Sequence, residues 1–238
     1  MLVDGWTWEM NGVQMWSEIT LRNGGKITHP VASNQESESL DLTVGNLSIV
    51  DIESGIDISG RGITGEGVSQ HDYAGGSYGG RGGQGYQGTS TSAIEPYGSI
   101  TEPVHFGTGA GDNAYNHGGG SIKLTVSGNL QLDGFINADG VRRSTGNNAG
   151  GSGGSVWLNV GTISGSGFIS SDGADAINTD YGGGGGGRVA IYYDSLSGFD
   201  PYSQISTSGG GNTQYIGAAG TLYLKNEITQ DEEILVDN

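Results

Sequence analysis

The chain has 238 residues, 49 of them Gly and only 4 Pro, with 26 acidic against 9 basic side chains and a formal net charge of −17. Glycine without a Gly-X-Y period excludes collagen. The charge repels phosphate backbones and anionic membranes, so cations or neutral glycans are expected partners and nucleic acid is not. There is no Cys, so neither disulfides nor thiolate metal sites contribute, and no apolar run approaches the roughly 20 residues a membrane helix needs.

Residues 1–40 hold Trp6, Trp8 and Trp16, three of the four tryptophans, with Met10, Val13 and Met15 among them. Met1 leads into a strand-like segment instead of a signal sequence, so targeting information is expected elsewhere in a larger protein. The alternation Trp6/Trp8 reads as strand patterning. The segment is expected to cap one end of a repeat array, the alternative being a Trp-lined ligand platform.

Asp57-Ile58-Ser59-Gly60-Arg61-Gly62 matches a turn that recurs later in the chain, and Ile58 aligns with Ile136, 78 residues on. The repeat takes about 33 residues, so residues 63–118 form a long excursion. It carries His71, Asp72, Tyr73, Tyr78, Arg81, Tyr86, Tyr97, Glu102, His105, Asp112, Tyr115 and His117. Long excursions from a rigid scaffold are where binding residues concentrate. Aromatic rings beside Arg, His and carboxylates suit sugars, because a ring covers the apolar face of a sugar while polar groups reach its hydroxyls. Tyr73, Tyr78, Arg81, Tyr86, Tyr97, His71, His105 and His117 are therefore the candidate ligand-binding set. Packing of the glycine loops onto the scaffold is the competing role for the tyrosines.

From residue 119 the repeat is regular. The segments beginning at Ser121, Ser155, Arg188 and Thr221 align with spacings of 34, 33 and 33 residues. Each repeat has three short alternating pieces, such as Ile122/Leu124/Val126, Leu130/Leu132 and Phe135/Ile136, followed by a glycine-rich return. Pieces this short need neighbours, and equivalent pieces stacked about 4.8 Å apart make long parallel sheets. The returns, among them Gly182 to Gly187, suit either extended polyproline-II-like strands or loose loops. At the end, Asp231, Glu232, Glu233 and Asp237 surround Ile234-Leu235-Val236, giving an acidic closing segment.

The expected fold is all-β: a single-stranded parallel β-helix, or solenoid, with coils of about 33 residues, glycine-rich returns and one inserted excursion. Residues 1–238 form one domain, with a cap and first coil over 1–40, the excursion over 63–118, regular coils over 119–226 and a C-terminal cap over 227–238.

No metalloprotease, EF-hand, phosphate-loop or nucleophile-elbow motif stands out, and the glycine runs join strands without a following helix. Asp139 and Asp172 stack one repeat apart, at a spacing open to paired-carboxylate chemistry or to calcium. Each also sits in an Xaa-Asp-Gly turn, where Asp bonds its own backbone. No cofactor is expected, with calcium the one candidate. Lyase chemistry would draw on His71, Arg81, His105 and His117.

Several segments resemble a glycine-rich repeat region of large secreted or surface proteins of environmental bacteria. They are Asn23 to Pro30, Thr101 to Gly107, Leu124 to Leu130, Gly153 to Leu158 and Gly185 to Tyr193. The glycine runs are also similar to those of certain phage receptor-binding adhesins. These resemblances imply a parallel β-helix and an extracellular or cell-surface setting, and they assign no catalytic residue. The functional expectation is a structural or adhesive module that binds polysaccharide or cell-surface glycan through the excursion. The alternatives are a polysaccharide lyase or glycosidase and a self-associating fibre subunit.

Overall fold

The computed structural model describes residues 1–33, 39–65, 73–86, 93–111, 116–142, 149–211 and 214–236. Period-two alternation dictates strands, and strands dominate: β1 (Leu2–Asp4), β2 (Thr7–Glu9), β3 (Gly12–Arg22), β4 (Lys26–Thr28), β5 (Leu40–Ile49), β6 (Gly55–Asp57), β7 (Ser121–Leu132), β8 (Phe135–Asn137), β9 (Ser155–Ser164), β10 (Phe168–Ser170), β11 (Arg188–Ser197), β12 (Ile205–Ser206), β13 (Thr221–Asn226) and β14 (Glu232–Leu235). One helical turn, α1 (Pro201–Gln204), precedes β12, its first turn capped by Asp200 accepting from Tyr202 N–H.

The strands form two sheets, one of eight in the order β1-β3-β5-β7-β9-β11-β13-β14 and one of six in the order β12-β10-β8-β6-β4-β2. All neighbours run parallel except β13 and β14, which are antiparallel. This corrects the expected single-stranded β-helix: the strands form two separate sheets, and among the described residues no third ladder closes them into a solenoid. The physical cause lies in the glycine returns, which have no side chains to alternate and bond in several directions at once.

Between the sheets the aliphatic side chains stand in rows. Leu40, Ile122, Val156, Val189 and Leu222 are successive partners across the eight-stranded sheet. Ile27, Ile56, Ile136 and Ile169 do the same across the six-stranded one. All belong to one buried cluster, each worth about 1.5–3 kcal/mol of apolar burial.

Two sequence alignments shift on inspection of the register. Ile56, not Ile58, lies opposite Ile136. The first two alternating pieces of each repeat are one strand, and the 34-residue spacing arises because β7 carries an extra residue, absorbed by a bulge between Val126 and Asn129.

The described residues of the glycine returns and the excursion form a further layer, without named strands. Along Gly182 to Gly187 the N–H groups donate in turn to the carbonyls of Tyr73, Tyr215, Ala174, Gly76, Ala218 and Ser171. The same three neighbouring segments thus recur every third residue, the period of a polyproline-II-type helix. The carbonyls of the same six residues accept from Gly150, Gly83, Gly210, Gly153, Gly80 and Thr221. Glycine is required by this close approach, since a Cβ on Gly184 would overlap the carbonyl of Gly151 and one on Gly185 that of Gly80. Of the two roles open to the returns, ordered extended strands is therefore the one adopted.

Candidate functional site

The excursion returns across the start of the eight-stranded sheet, and its aromatic residues fasten it there. Tyr78 is fully buried, and its hydroxyl hydrogen-bonds with Ser155 Oγ at 2.6 Å. Ser155 Oγ donates to the carbonyl of His105. Burial pushes the Tyr78 phenol up to about 12, against the opposing pull of Ser155 and Arg188. Arg188 lies 5.5 Å from the Tyr78 ring centre and donates twice to the carbonyl of Tyr97, at 3.0 and 2.9 Å. The Tyr97 hydroxyl donates to Phe106 O, its ring packs on Tyr78 at 5.0 Å, and His105 meets it edge-on at 6.0 Å. Ser121 and Tyr192 add hydroxyl donations to Val104 O and Thr101 O. These side chains hold backbone, not an open binding surface.

The other expected ligand-binding residues scatter. Tyr73 packs on Tyr181 at 4.7 Å beside the small buried cluster of Ala110, Ala149 and Ala176. His117 forms a bridge with Thr64. The Nδ1 atoms of His105 and His117 are buried with no hydrogen-bond partner among the described residues. Tyr86 is exposed. His71, Asp72, Asp112 and Tyr115 lie outside the described residues.

Asp139 and Asp172 do stack, and their oxygens are engaged by the next repeat. Asp139 accepts from Asp172 N–H and Ser170 Oγ, both at 2.8 Å. Asp172 accepts from Ser208 N–H and Ser206 Oγ, at 2.7 and 2.6 Å. Desolvation, with smaller contributions from the Asp172 and Asp57 charges, raises the Asp139 carboxyl to about 6 despite these bonds. Among the described residues no group of three or more His, Asp or Glu is placed to hold a metal ion.

A groove of about 340 Å³ lies on the glycine layer, between residues 81–84 of the excursion and 214–218 of the last return. Gly82 and Gly83 line it as buried residues, and Arg81, Gln84, Gln214, Tyr215 and Ile216 complete the lining. The two limbs are fixed to each other: Ala218 N–H donates to Arg81 O, while Gly83 donates to Gly183 O and Gly183 to Tyr215 O. Arg81 pairs with Glu95 at 3.3 Å and donates to the carbonyl of Ala93, so its charge is partly offset by a carboxylate beside the groove. Two carboxamides, a guanidinium, a phenol and an exposed aliphatic chain are the chemistry of a polyhydroxylated, uncharged ligand.

Compared with known proteins, the chain matches no family model, no curated protein and no solved structure. The groove thus rests on its own geometry.

Sequence reading reached Arg81 but not its partners. Gln84 has no distinguishing pattern, and Gln214, Tyr215 and Ile216 belong to a different repeat, brought beside Arg81 only by the hydrogen bonding of the glycine layer. The equivalence of successive returns is the one signal that could have pointed there.

Proposed function

We propose that the chain is an extracellular structural and adhesive module that holds a neutral polysaccharide in the groove of Arg81, Gln84, Gln214 and Tyr215. The observation that carries this reading is the lining: the carboxamides of Gln84 and Gln214, the Arg81 guanidinium and the Tyr215 phenol surround one groove, between limbs that backbone hydrogen bonds hold together. Rigidity matters because side chains already held in place lose little entropy on binding. The extracellular setting is supported by the resemblance of segments such as Asn23 to Pro30 and Gly185 to Tyr193 to a repeat region of large secreted or surface bacterial proteins, and the acidic surface favours uncharged over anionic chains.

The test is affinity electrophoresis and calorimetry with amylose, cellulose oligosaccharides, dextran, galactomannan and polygalacturonate. Binding of at least one neutral glycan is expected. Gln84→Ala and Gln214→Ala should each weaken it about tenfold, the loss of about one hydrogen bond's worth of 1–1.5 kcal/mol. Tyr202→Ala, which is not part of the groove lining, should have no effect. Indifference to every neutral glycan, or binding untouched by both groove variants, contradicts the proposal. Appearance of unsaturated or reducing ends during incubation would replace it with an enzymatic reading.

A further inference from the structure

The two limbs of the Arg81 groove are almost free of charge in a chain that carries −17. Residues 73–101 hold one base and one acid, Arg81 and Glu95, and residues 201–224 hold neither. The two meet. Arg81 Nη1 lies 3.3 Å from Glu95 Oε1, and Arg81 Nη2 donates to the carbonyl of Ala93 at 3.2 Å. Among the described residues that line the groove, Arg81 alone is charged. Charge selection there depends on how much of that guanidinium a ligand can use.

A guanidinium beside two carboxamides would by itself favour a sugar carboxylate, which it grips through charge-assisted hydrogen bonds. Glu95 already takes that place. Its side chain is 78 % exposed against 30 % for Arg81, so the carboxylate is the more solvated member of the pair. The backbone that carries it is pinned on either side. Ala93 is buried and accepts from Arg81. Tyr97 donates its N–H to Tyr78 O and accepts twice at its carbonyl from Arg188. Between them Pro96 disfavours a helical conformation at Glu95. A carboxylate tethered this closely competes for Arg81 at an effective concentration of the order of millimolar. Its charge also repels a second carboxylate entering the groove.

We infer that Glu95 sets the class of glycan: by occupying Arg81 it excludes carboxylated sugars and leaves the groove to uncharged ones, and without it the same groove takes a uronic-acid chain. This rests on the glycan-binding role of the groove and concerns which glycan enters. An exposed ion pair adds little to stability, so loss of Glu95 alters the ligand and not the fold.

The test uses amylose, cellulose oligosaccharides and galactomannan, each as the neutral chain and with its C6 hydroxyls oxidised to carboxylates. Calorimetry gives the ratio of oxidised to neutral affinity. The parent chain should prefer the neutral member. Glu95→Gln keeps an oxygen for Arg81 and should raise the ratio about tenfold, the worth of a hydrogen bond to a charged group once the competing carboxylate is gone. Two controls separate this from the general loss of one negative charge. Glu102→Gln removes another exposed carboxylate of the strap and should leave the ratio alone, while Arg81→Gln combined with Glu95→Gln should cancel the gain. A parent that already prefers the oxidised chain, a ratio unmoved by Glu95→Gln, an equal rise in Glu102→Gln, or a gain that survives loss of Arg81 would each overturn the inference. Oxidised chains bound by Glu95→Gln where the parent binds no neutral chain would uphold selection by Glu95 and overturn the neutral-glycan role. No binding in any arm would overturn both.

Discussion

Asp139 is a carboxyl that folding places at a disadvantage, and replacing it by Asn tests how the stacked turns are balanced. Its carboxyl titrates at about 6 in the folded protein, raised from 3.8 chiefly by desolvation. A raised folded value means that the proton is held more tightly in the native state. The associated stability is therefore complete below about pH 3.8, is lost as pH rises through 6, and stays lost above it. At 1.36 kcal/mol for each pH unit, the displacement is worth up to about 3 kcal/mol, and about 2 kcal/mol once residual solvent contact is allowed for. Asn keeps an oxygen for Asp172 N–H and offers an amide N–H to Ser170 Oγ, so Asp139→Asn retains the local hydrogen bonds. Urea unfolding of both proteins across pH 3.5 to 8 isolates the site by difference. The variant should match the parent at pH 3.5 and exceed it by about 2 kcal/mol at pH 8. A variant that matches the parent at pH 3.5 but is less stable than it at pH 8 would refute the reasoning, because the carboxylate would then be acting as a net stabilising acceptor.

Three further substitutions probe the layers. Gly184→Ala places a methyl group on the carbonyl of Gly151 and should cost about 3 kcal/mol or more by thermal unfolding, because overpacked backbone has no rotamer to escape into. Gly198→Ala, at φ +79 with open space around it, should cost only the roughly 1–2 kcal/mol of left-handed backbone. Tyr78→Phe removes the hydroxyl bonded to Ser155 while leaving Ser155 its bond to His105 O. It should cost about 1 kcal/mol and expose the strap of residues 93–107 to faster proteolysis, with loss of neither sheet by circular dichroism.

How far the chain was legible depends on which atoms carry the information. Aliphatic alternation belongs to single residues, and the row from Ile122 through Val156 and Val189 to Leu222 is readable at a spacing of about 33. Closure of the strands into a helix is not written in that pattern. It depends on what the glycine runs do, and glycine carries no side-chain signal to distinguish a third sheet from a layer bonded in several directions. The same blindness hid the groove, whose rim joins Gln84 to Gln214 through backbone bonds alone. The tyrosines of the excursion were visible as chemistry but ambiguous in role. Their use as fasteners follows from Ser155 and Arg188, which sequence patterning marks only as strand residues. His29 shows the same limit: it is fully buried, and its Nε2 accepts from Ser121 N–H at 3.1 Å, a long-range bond with no local signature.

The central claim is that the glycine returns and the excursion form a fixed, hydrogen-bonded layer on the two sheets. Amide hydrogen exchange resolved at Gly76, Gly80, Gly83 and Gly182 to Gly187 tests it directly. These amides should exchange only through unfolding of the whole domain, as slowly as those of β7 and β9, since each donates to a carbonyl inside the layer. Exchange of the glycine amides within seconds, while the strand amides stay protected, would contradict the account.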